Sequence, residues 1–317
     1  MKTEVKNTNN TVINTEWFQR LIKALLKDRY LFLMLIPGLL IYIFFCYMPM
    51  YGVVIAFKDF NPVRGIISSD WVGMKYFIQF FKSAFFTRLL KNTVTLSVYN
   101  LLWGFPIPII FALLLNEVKD GSFKKISQTI SYLPHFISIV VVVGMMNNMF
   151  APTGVVTMLL EKNFGLSPRF LTDPKMFRTM YIGSEIWQHF GWNSIIYLAA
   201  LSGIDIQLYE AARIDGASRF KQMIFVTLPG IAPTIIILLI LACGNILSVG
   251  FEKIILMYSP ATYSTADVIS TYAYRVGLLQ SQYSFGSAVG LFNSVTNCMI
   301  LVAVNWISRH VSDTSLW

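Results

Sequence analysis

Polar side chains that could bind a ligand recur along one otherwise apolar segment near residues 179–203. Glu185, His189, Trp192 and Asn193 are spaced so that a helix would place them on one face. Carboxylate, imidazole and amide groups can hydrogen-bond hydroxyl groups, and flat aromatic rings suit the apolar faces of sugar rings. This mixture is typical of carbohydrate binding.

Single amides interrupt the other apolar runs. They are Asn100, Asn147, Asn245 and Asn293. Because polar groups at membrane depth are costly, they point to function, and with the first four residues they predict a polar substrate path inside the protein. The alternative is that the amides hydrogen-bond between helices and that the aromatic rings anchor at the membrane interface.

No catalytic or metal-binding motif accompanies these residues. The chain has no His-Glu-x-x-His, no paired-cysteine spacing and no Gly-x-Ser-x-Gly, and its three histidines are far apart in sequence. It also lacks the Gly-x-x-x-x-Gly-Lys-[Ser/Thr] phosphate loop. The sequence therefore predicts neither catalysis nor a cofactor in this chain, and any use of ATP must come from a partner.

The elements that position these residues are predicted to be membrane helices. The 317 residues are 55% hydrophobic and 13% charged, with a mean hydropathy of +0.59, whereas soluble domains carry about 25% charged residues. Apolar runs of roughly 20 residues match the thickness of a bilayer. We expect an all-α polytopic membrane protein in contact with lipid. The net charge of +9 is scattered, which argues against a nucleic-acid partner.

Six transmembrane helices are predicted, and basic residues orient them. The predicted spans are residues 30–57, 88–115, 126–150, 179–203, 229–252 and 284–307. Basic residues just before the first span and between the second and third place both termini in the cytoplasm by the positive-inside rule; they are Arg20, Lys23, Lys27, Arg29, Lys119, Lys124 and Lys125. The prediction is a multi-pass membrane protein with both termini inside the cell.

The predicted organisation is a short arm, one membrane domain and a tail. Residues 1–29 form a cytoplasmic arm, 30–310 the transmembrane domain, and 311–317 a cytoplasmic tail. Within the arm, residues 17–27 (WFQRLIKALLK) alternate apolar and basic side chains. They form either an amphipathic helix on the inner membrane surface or an extension of the first span.

A polar interlude separates the fourth and fifth spans, on the predicted inner side. Asp205 is a good N-cap for a helix over 206–214. Asp215-Gly216 then predicts a break. A second short helix is expected over 217–227, closed by Leu228-Pro229.

The pattern in this loop resembles a known family motif. Glu210-Ala211-Ala212, Asp215-Gly216-Ala217 and Leu228-Pro229 resemble the EAA motif of ABC importer permeases, in the form found in carbohydrate importers. Further stretches resemble the lipoprotein-associated sugar permeases: LIPG (35–38), MPMYG (48–52), AFKDFNP (56–62), WVG (71–73), LLLNEV (113–118), YLPHF (132–136) and YAYRVG (272–277). The resemblance covers roughly residues 25–310.

The resemblance implies a type I ABC importer permease fold in the bacterial plasma membrane, with a cytoplasmic coupling helix that docks on an ATPase; residues 204–229 are therefore called the coupling loop. It assigns this contact to Glu210, Ala211, Ala212, Asp215, Gly216, Arg219 and Pro229. The implied partners are a second homologous permease, forming a heterodimer, two ATPase subunits that bind ATP and Mg, and an extracellular solute-binding lipoprotein. The implied substrate is a carbohydrate, most simply an oligosaccharide.

Two other functions compete with this interpretation. An ion-coupled secondary transporter of sugars would need paired carboxylates at the membrane midplane. A membrane-embedded enzyme would need a convergent acid–base or metal cluster. The subgroup also suggests an acidic sugar, which Lys253 or Arg275, expected near the outer end, would attract.

Overall fold

The protein is described here by a computed structural model of residues 27–311. The chain divides into two compact units, residues 1–54 and 55–317, and each is described by itself. Within the described range only Lys58–Asp59 and Asp70–Trp71 are strands, and they form one antiparallel pair. The predicted helix over residues 17–27 and the tail after Val311 lie outside the described residues, apart from Lys27.

The first unit contains most of one apolar helix. The helical run Arg29–Phe57 comprises an α-helix (Arg29–Ile41), a π-helical segment (Tyr42–Tyr47), a short α-helical turn (Met48–Met50) and a 3₁₀ segment (Tyr51–Phe57) that enters the second unit. The side chains of its α- and π-helical part are exposed and predominantly apolar. This is the composition expected of a helix that faces lipid, and we call it span one.

The second unit supplies the remaining membrane helices. Phe86–Glu117, Arg219–Gly244 and Tyr283–His310 are each long and apolar enough to cross a bilayer; they are spans two, five and six. Two bent pairs complete the set: Ser122–Phe136 with Ile139–Met149 (span three), and Pro174–Ser202 (span four) with Ile206–Ile214. Residues 27–311 thus hold four spanning helices, or six if each bent pair is one span. The predicted all-α, polytopic membrane fold is confirmed.

Short helices occupy the connections between the spans. They are Gly65–Ser68, Lys75–Lys82, Val155–Phe164, Phe251–Met257, Tyr263–Ala266 and Ile269–Tyr274, the last followed by a π-helical segment, Arg275–Leu279.

Span three is broken, although one continuous helix over 126–150 was predicted. Its two parts meet at 97°. Pro134 lies in a 3₁₀ turn, Leu133–Phe136, and Ile137 and Ser138 adopt extended backbone conformations. Because proline lacks an N–H and its ring crowds the preceding turn, the helix ends here.

Span five is displaced relative to the prediction. It runs from Arg219 to Gly244 rather than from 229 to 252. After Gly244 the chain leaves the helix because side chains from other spans satisfy its peptide groups. Asn297 Oδ1 accepts a hydrogen bond from the Leu247 amide at 2.9 Å, and the Ser97 hydroxyl donates to the Ile246 carbonyl.

Three spans contain a wide turn just ahead of a proline. The π-helical segments Tyr42–Tyr47, Asn100–Gly104 and Met223–Thr227 end two residues before Pro49, Pro106 and Pro229. A proline cannot donate to the preceding turn, and a π segment is a common way for a helix to absorb such a disruption. Pro229 of the predicted coupling motif therefore continues a helix rather than closing one.

Buried hydrogen bonds tie the start of span two to residues 263–271. The Asn92 amide donates to the carbonyls of Ser264 and Asp267 at 3.0 and 3.1 Å. The Thr93 hydroxyl accepts from the Ile269 amide at 3.1 Å. Because buried polar groups are costly when unpaired, these contacts fix this segment against the helix.

Candidate functional site

A polar cavity of about 410 Å³ lies among spans two and four and the residues that follow span five. Its polar lining comprises amide, hydroxyl, carboxylate and imidazole groups: Ser97, Asn100, Tyr181, Glu185, His189, Asn193, Asn245 and Ser248. Phe105 and Phe190 contribute aromatic surface. Such a wall can hydrogen-bond hydroxyl groups and cover apolar faces of the same ligand.

The cavity brings together five of the eight residues that the sequence analysis assigned to a substrate path. These five are Asn100, Glu185, His189, Asn193 and Asn245. The other three lie elsewhere. Asn147 is exposed on the helix Ile139–Met149, the Trp192 ring stacks on His135, and Asn293 belongs to span six.

Lining residues that the sequence analysis did not select follow the helical repeat. On span two, residues 97, 100, 101 and 104 all line the cavity, which is the i, i+3, i+4, i+7 spacing of one helix face. Ser97 could therefore have been found from its spacing to Asn100. Ser248 and Gly250 could not, because they were assigned to a continuous helix.

The carboxylate in the cavity wall is neutralised from within the protein. Glu185 Oε2 lies 2.9 Å from Lys253 Nζ, and Glu185 Oε1 lies 3.5 Å from His189 Nε2. Lys253 is fully buried and also donates to Gln188 Oε1 at 3.3 Å. The expectation that Lys253 attracts substrate near the outer end is wrong, because its charge is buried against a carboxylate.

The histidine continues this network to a neighbouring helix. His189 Nδ1 lies 3.0 Å from His135 Nδ1. The His135 ring lies parallel to the Trp192 ring, with centroids 4.6 Å apart. Trp192 thus supports the network from outside the cavity instead of lining it.

The coupling loop begins with a helix whose two ends are both capped. Asp205 Oδ1 accepts a hydrogen bond from the Gln207 amide at 2.9 Å, and the helix runs from Ile206 to Ile214, as predicted. At its end the Ala217 amide donates to Ala212 O at 2.9 Å and the Gly216 amide to Arg213 O at 3.0 Å.

These two bonds are the Schellman pattern, which needs a left-handed residue after the helix. Gly216 supplies it with φ +74°. The chain then re-enters a helix at Arg219, with Ser218 as N-cap, and continues without interruption into span five. The second helix expected over 217–227 is therefore the start of span five.

The loop helix projects from the bundle, and the exposed charged side chains of Glu210, Arg213 and Arg219, on it or just after it, are unpaired within the described part of the chain. It makes an angle of 72° with span four, and its link to span five includes one hydrogen bond, between the hydroxyls of Tyr209 and Thr227 at 3.0 Å. Ala211, Asp215 and Pro229 are also exposed, whereas Ala212 is half-buried.

Comparison with known proteins assigns this arrangement to one family. The family model described as "binding-protein-dependent transport system inner membrane component" matches residues 104–313. That range includes the coupling loop and spans three to six.

Individual relatives match nearly the whole chain. Protein LplB of Bacillus subtilis is 45% identical over 93% of each chain. The polygalacturonan/rhamnogalacturonan transport system permease protein YteP of the same organism is 41% identical over 96% of each chain. A crystal structure of a bacterial alginate ABC transporter, in complex with an alginate pentasaccharide-bound periplasmic protein, contains a chain 45% identical to this one. Their TM-score is 0.86, and the match covers 94% of this chain and 100% of that one. The chain belongs to the family of binding-protein-dependent transport system inner membrane components, and its fold is that of an ABC importer permease.

Proposed function

We propose that the chain is a permease subunit through which an ATP-driven importer takes up acidic oligosaccharides. YteP belongs to a polygalacturonan/rhamnogalacturonan system, and the similar solved structure is an alginate importer. Both names point to polymers that contain uronic acids. Identities of 41% and 45% over nearly the whole chain support the same substrate class here.

The observation that carries the proposed mechanism is the projecting helix of the coupling loop. Small residues, Ala211 and Gly216, lie beside the unpaired charges of Glu210 and Arg219. Small side chains allow close approach of a partner surface, and exposed charges supply its polar contacts. This surface would dock on the cytoplasmic ATPase, which binds ATP and Mg. Asp215 would orient the Gly216 turn, and Pro229 would set the wide turn at the entry to span five.

The central cavity would form the substrate path. Asn100, Asn193 and Asn245 would hydrogen-bond sugar hydroxyls there. The pairing of Glu185 with Lys253 removes an uncompensated negative charge from the wall, which favours passage of an anionic sugar. An ion-coupled transporter would need a carboxylate free to exchange its ion, and this pairing argues against that function.

The complete importer would contain four further components. We propose a second, homologous permease as the heterodimeric partner, two ATPase subunits at the cytoplasmic face, and an extracellular solute-binding lipoprotein. Both termini and the coupling loop would lie in the cytoplasm. Closure of the ATPases around ATP would move the coupling loops and open the cavity outward, and hydrolysis would reset it.

Uptake by the complete importer in proteoliposomes tests this function. We expect ATP-dependent accumulation of a galacturonate trisaccharide, with maltotriose as the neutral comparison. Glu210→Ala should lower saccharide-stimulated ATP hydrolysis, while Glu161→Ala, an exposed glutamate on Val155–Phe164, should leave it unchanged. Uptake without ATP, or equal hydrolysis by both variants, would contradict the proposal.

A further inference from the structure

A second polar pocket, of about 470 Å³, shares no lining residue with the central cavity. Its walls come from the helix Lys75–Lys82, the start of span two, the segment after Tyr263 and the start of span six. When every span crosses the membrane once, spans two, four and six run in the same direction. The pocket lies at the start of spans two and six, and the coupling loop lies after the end of span four. The two are therefore on opposite membrane faces.

The pocket carries an excess of positive charge. Arg88 and Arg275 line it, and none of its lining residues within the described part of the chain is acidic. Beneath them Asp267 is fully buried, with Arg275 Nη1 and Nη2 at 3.2 and 2.6 Å from its two oxygens and Arg88 Nη2 at 3.6 Å. One carboxylate therefore serves two guanidinium groups, which leaves a net charge of +1.

The lining also contains donors that have no partner. Arg88 Nε and Ser83 Oγ are buried and lack a hydrogen-bond acceptor within the described part of the chain. Gln79, Gln280 and Gln282 are exposed at the same pocket. Buried unpaired donors are costly, and a ligand rich in oxygen atoms would satisfy them.

Aromatic rings hold the two arginines in place. The Arg88 guanidinium lies 5.0 Å from the Phe85 ring centroid, and that of Arg275 lies 4.6 Å from Tyr263 and 5.6 Å from Tyr272. All three rings line the pocket. Fixed guanidinium groups lose little freedom on binding a carboxylate, and the rings can cover the apolar face of a sugar.

The distance between the pocket and the central cavity suits a site that binds the sugar before it enters the cavity. Arg88 precedes Ser97, a cavity residue, by nine positions in the same helix. At 1.5 Å per residue this is about 13 Å along the helix axis. One oligosaccharide of a few rings spans this distance.

We propose that this pocket binds the carboxylate of a uronic acid residue in the incoming oligosaccharide before the sugar enters the central cavity. The proposal rests on the acidic substrate class proposed above and adds a separate site for it. Arg88 is the principal anion ligand, because only one of its guanidinium nitrogens, Nη2, lies near Asp267, at 3.6 Å. The glutamines bind hydroxyl groups.

Photocrosslinking tests the site in the complete importer in phosphatidylcholine nanodiscs. Gln280→p-benzoylphenylalanine places the reactive group at the pocket, and radiolabelled trigalacturonate is the probe. We expect capture of the acid, and at least tenfold lower capture of its fully methyl-esterified form. Arg88→Gln should reduce capture of the acid at least tenfold, and Arg88→Lys should reduce it less. Lys82→Gln, which removes an equal charge from an exposed residue outside the pocket, should leave capture unchanged.

Three results would overturn the site: equal capture of acid and ester, equal capture in Arg88→Gln and the parent protein, or loss of capture in phosphatidylglycerol nanodiscs at constant ionic strength. The last would identify competition by an anionic lipid, since phosphatidylcholine carries the same phosphate group but no net charge. ATP-dependent uptake of trigalacturonate, measured in parallel, separates this proposal from the import function. Uptake without crosslinking would refute binding at this pocket and leave the import function standing. Crosslinking without uptake would refute the import function and leave binding at the pocket standing.

Discussion

The coupling loop and the wall of the central cavity both contain acidic and basic side chains, but these are paired in the cavity wall and exposed in the loop. In the cavity wall, Glu185 has partners in Lys253 and His189, and Lys253 is fully buried. In the loop, Glu210 and Arg219 have no partner among the described residues and face outward. The charges of the cavity wall are satisfied inside this chain, whereas those of the loop are free for the contact with the ATPase proposed above.

This contrast predicts where substitutions harm the fold and where they harm only the function. Buried ion pairs are costly to break because the remaining charge is left without its partner and without full hydration. Exposed charges contribute little to stability. Variants of the cavity wall should therefore unfold more easily, and variants of the loop should fold normally but transport poorly.

The largest expected effect is on the buried ion pair. Lys253→Met leaves Glu185 without this cation and should lower the free energy of unfolding by about 3 kcal/mol, the low end for a broken buried pair, because Glu185 also faces the polar cavity. The measurement is thermal unfolding of the purified protein. Glu185→Gln combined with Lys253→Met should recover much of the loss, and Lys162→Met, at an exposed position, should have almost no effect. Equal unfolding temperatures for Lys253→Met and Lys162→Met would show that the pair does not stabilise the fold.

A smaller effect is expected where span four packs closely on the helix Ser122–Tyr132. A Cβ atom added at Gly191 would overlap the Ser131 carbonyl, whereas one at Gly183, in the same span, would meet nothing within 4 Å. Gly191→Ala should cost about 1–3 kcal/mol by overpacking, and Gly183→Ala should be tolerated. If both variants unfold at the parent temperature, the helices are not in the contact described.

Substitutions in the loop should lower activity more than they lower stability. Gly216 has φ +74° and open space around it, so Gly216→Val strains the turn by about 1–2 kcal/mol without a clash. We expect at least a tenfold loss of saccharide-stimulated ATP hydrolysis in the complete importer, about 1.4 kcal/mol. Gly65→Val is the matched control, since Gly65 has the same φ and equally open surroundings. Hydrolysis reduced equally by both substitutions would remove the case for a coupling role.

The smallest effect concerns an exposed pair outside the membrane helices. The Tyr76 hydroxyl donates to Asp59 Oδ1 at 2.6 Å and lowers the pKa of that carboxyl below its ordinary 3.8, with Lys75 adding to the effect and burial opposing it. A lowered pKa contributes stability above the unfolded-state pKa, and this is lost as the pH falls through the folded-state value.

Tyr76→Phe should therefore flatten the dependence of the unfolding temperature on pH between about 5 and 3, by well under 1 kcal/mol because the pair is exposed. Tyr283→Phe is the control, since no side-chain hydrogen bond of Tyr283 is found among residues 27–311 and its ring packs on Phe60. An unchanged pH profile in Tyr76→Phe would show that the hydrogen bond does not form.

Features set by neighbouring residues could be predicted from the sequence, and features set by distant partners could not. The helix Ile206–Ile214 was placed correctly because Asp205 and Gly216 are local signals. The end of span five was misplaced because Asn297 and Ser97, on other spans, hold the chain outside the helix. The helical spacing of Glu185, His189 and Asn193 on span four predicted that they share one face, and in the structure all three line the cavity. It did not reveal that Lys253 would reach Glu185, which needs the three-dimensional fold.

The π-helical segment Met223–Thr227 has a consequence for how the proposed movement of the coupling loop would reach span five. It joins Arg219–Gln222 to the apolar helix Leu228–Gly244 of span five, and Pro229 keeps the next turn from closing normally. A π segment holds one residue more than an α-helical turn, and one residue corresponds to about 100° of rotation about the helix axis. If the extra residue migrated by one turn, the intervening side chains would swivel while the helix remained intact. A push on the loop would then reach the bilayer as torsion of span five and not only as a sideways displacement.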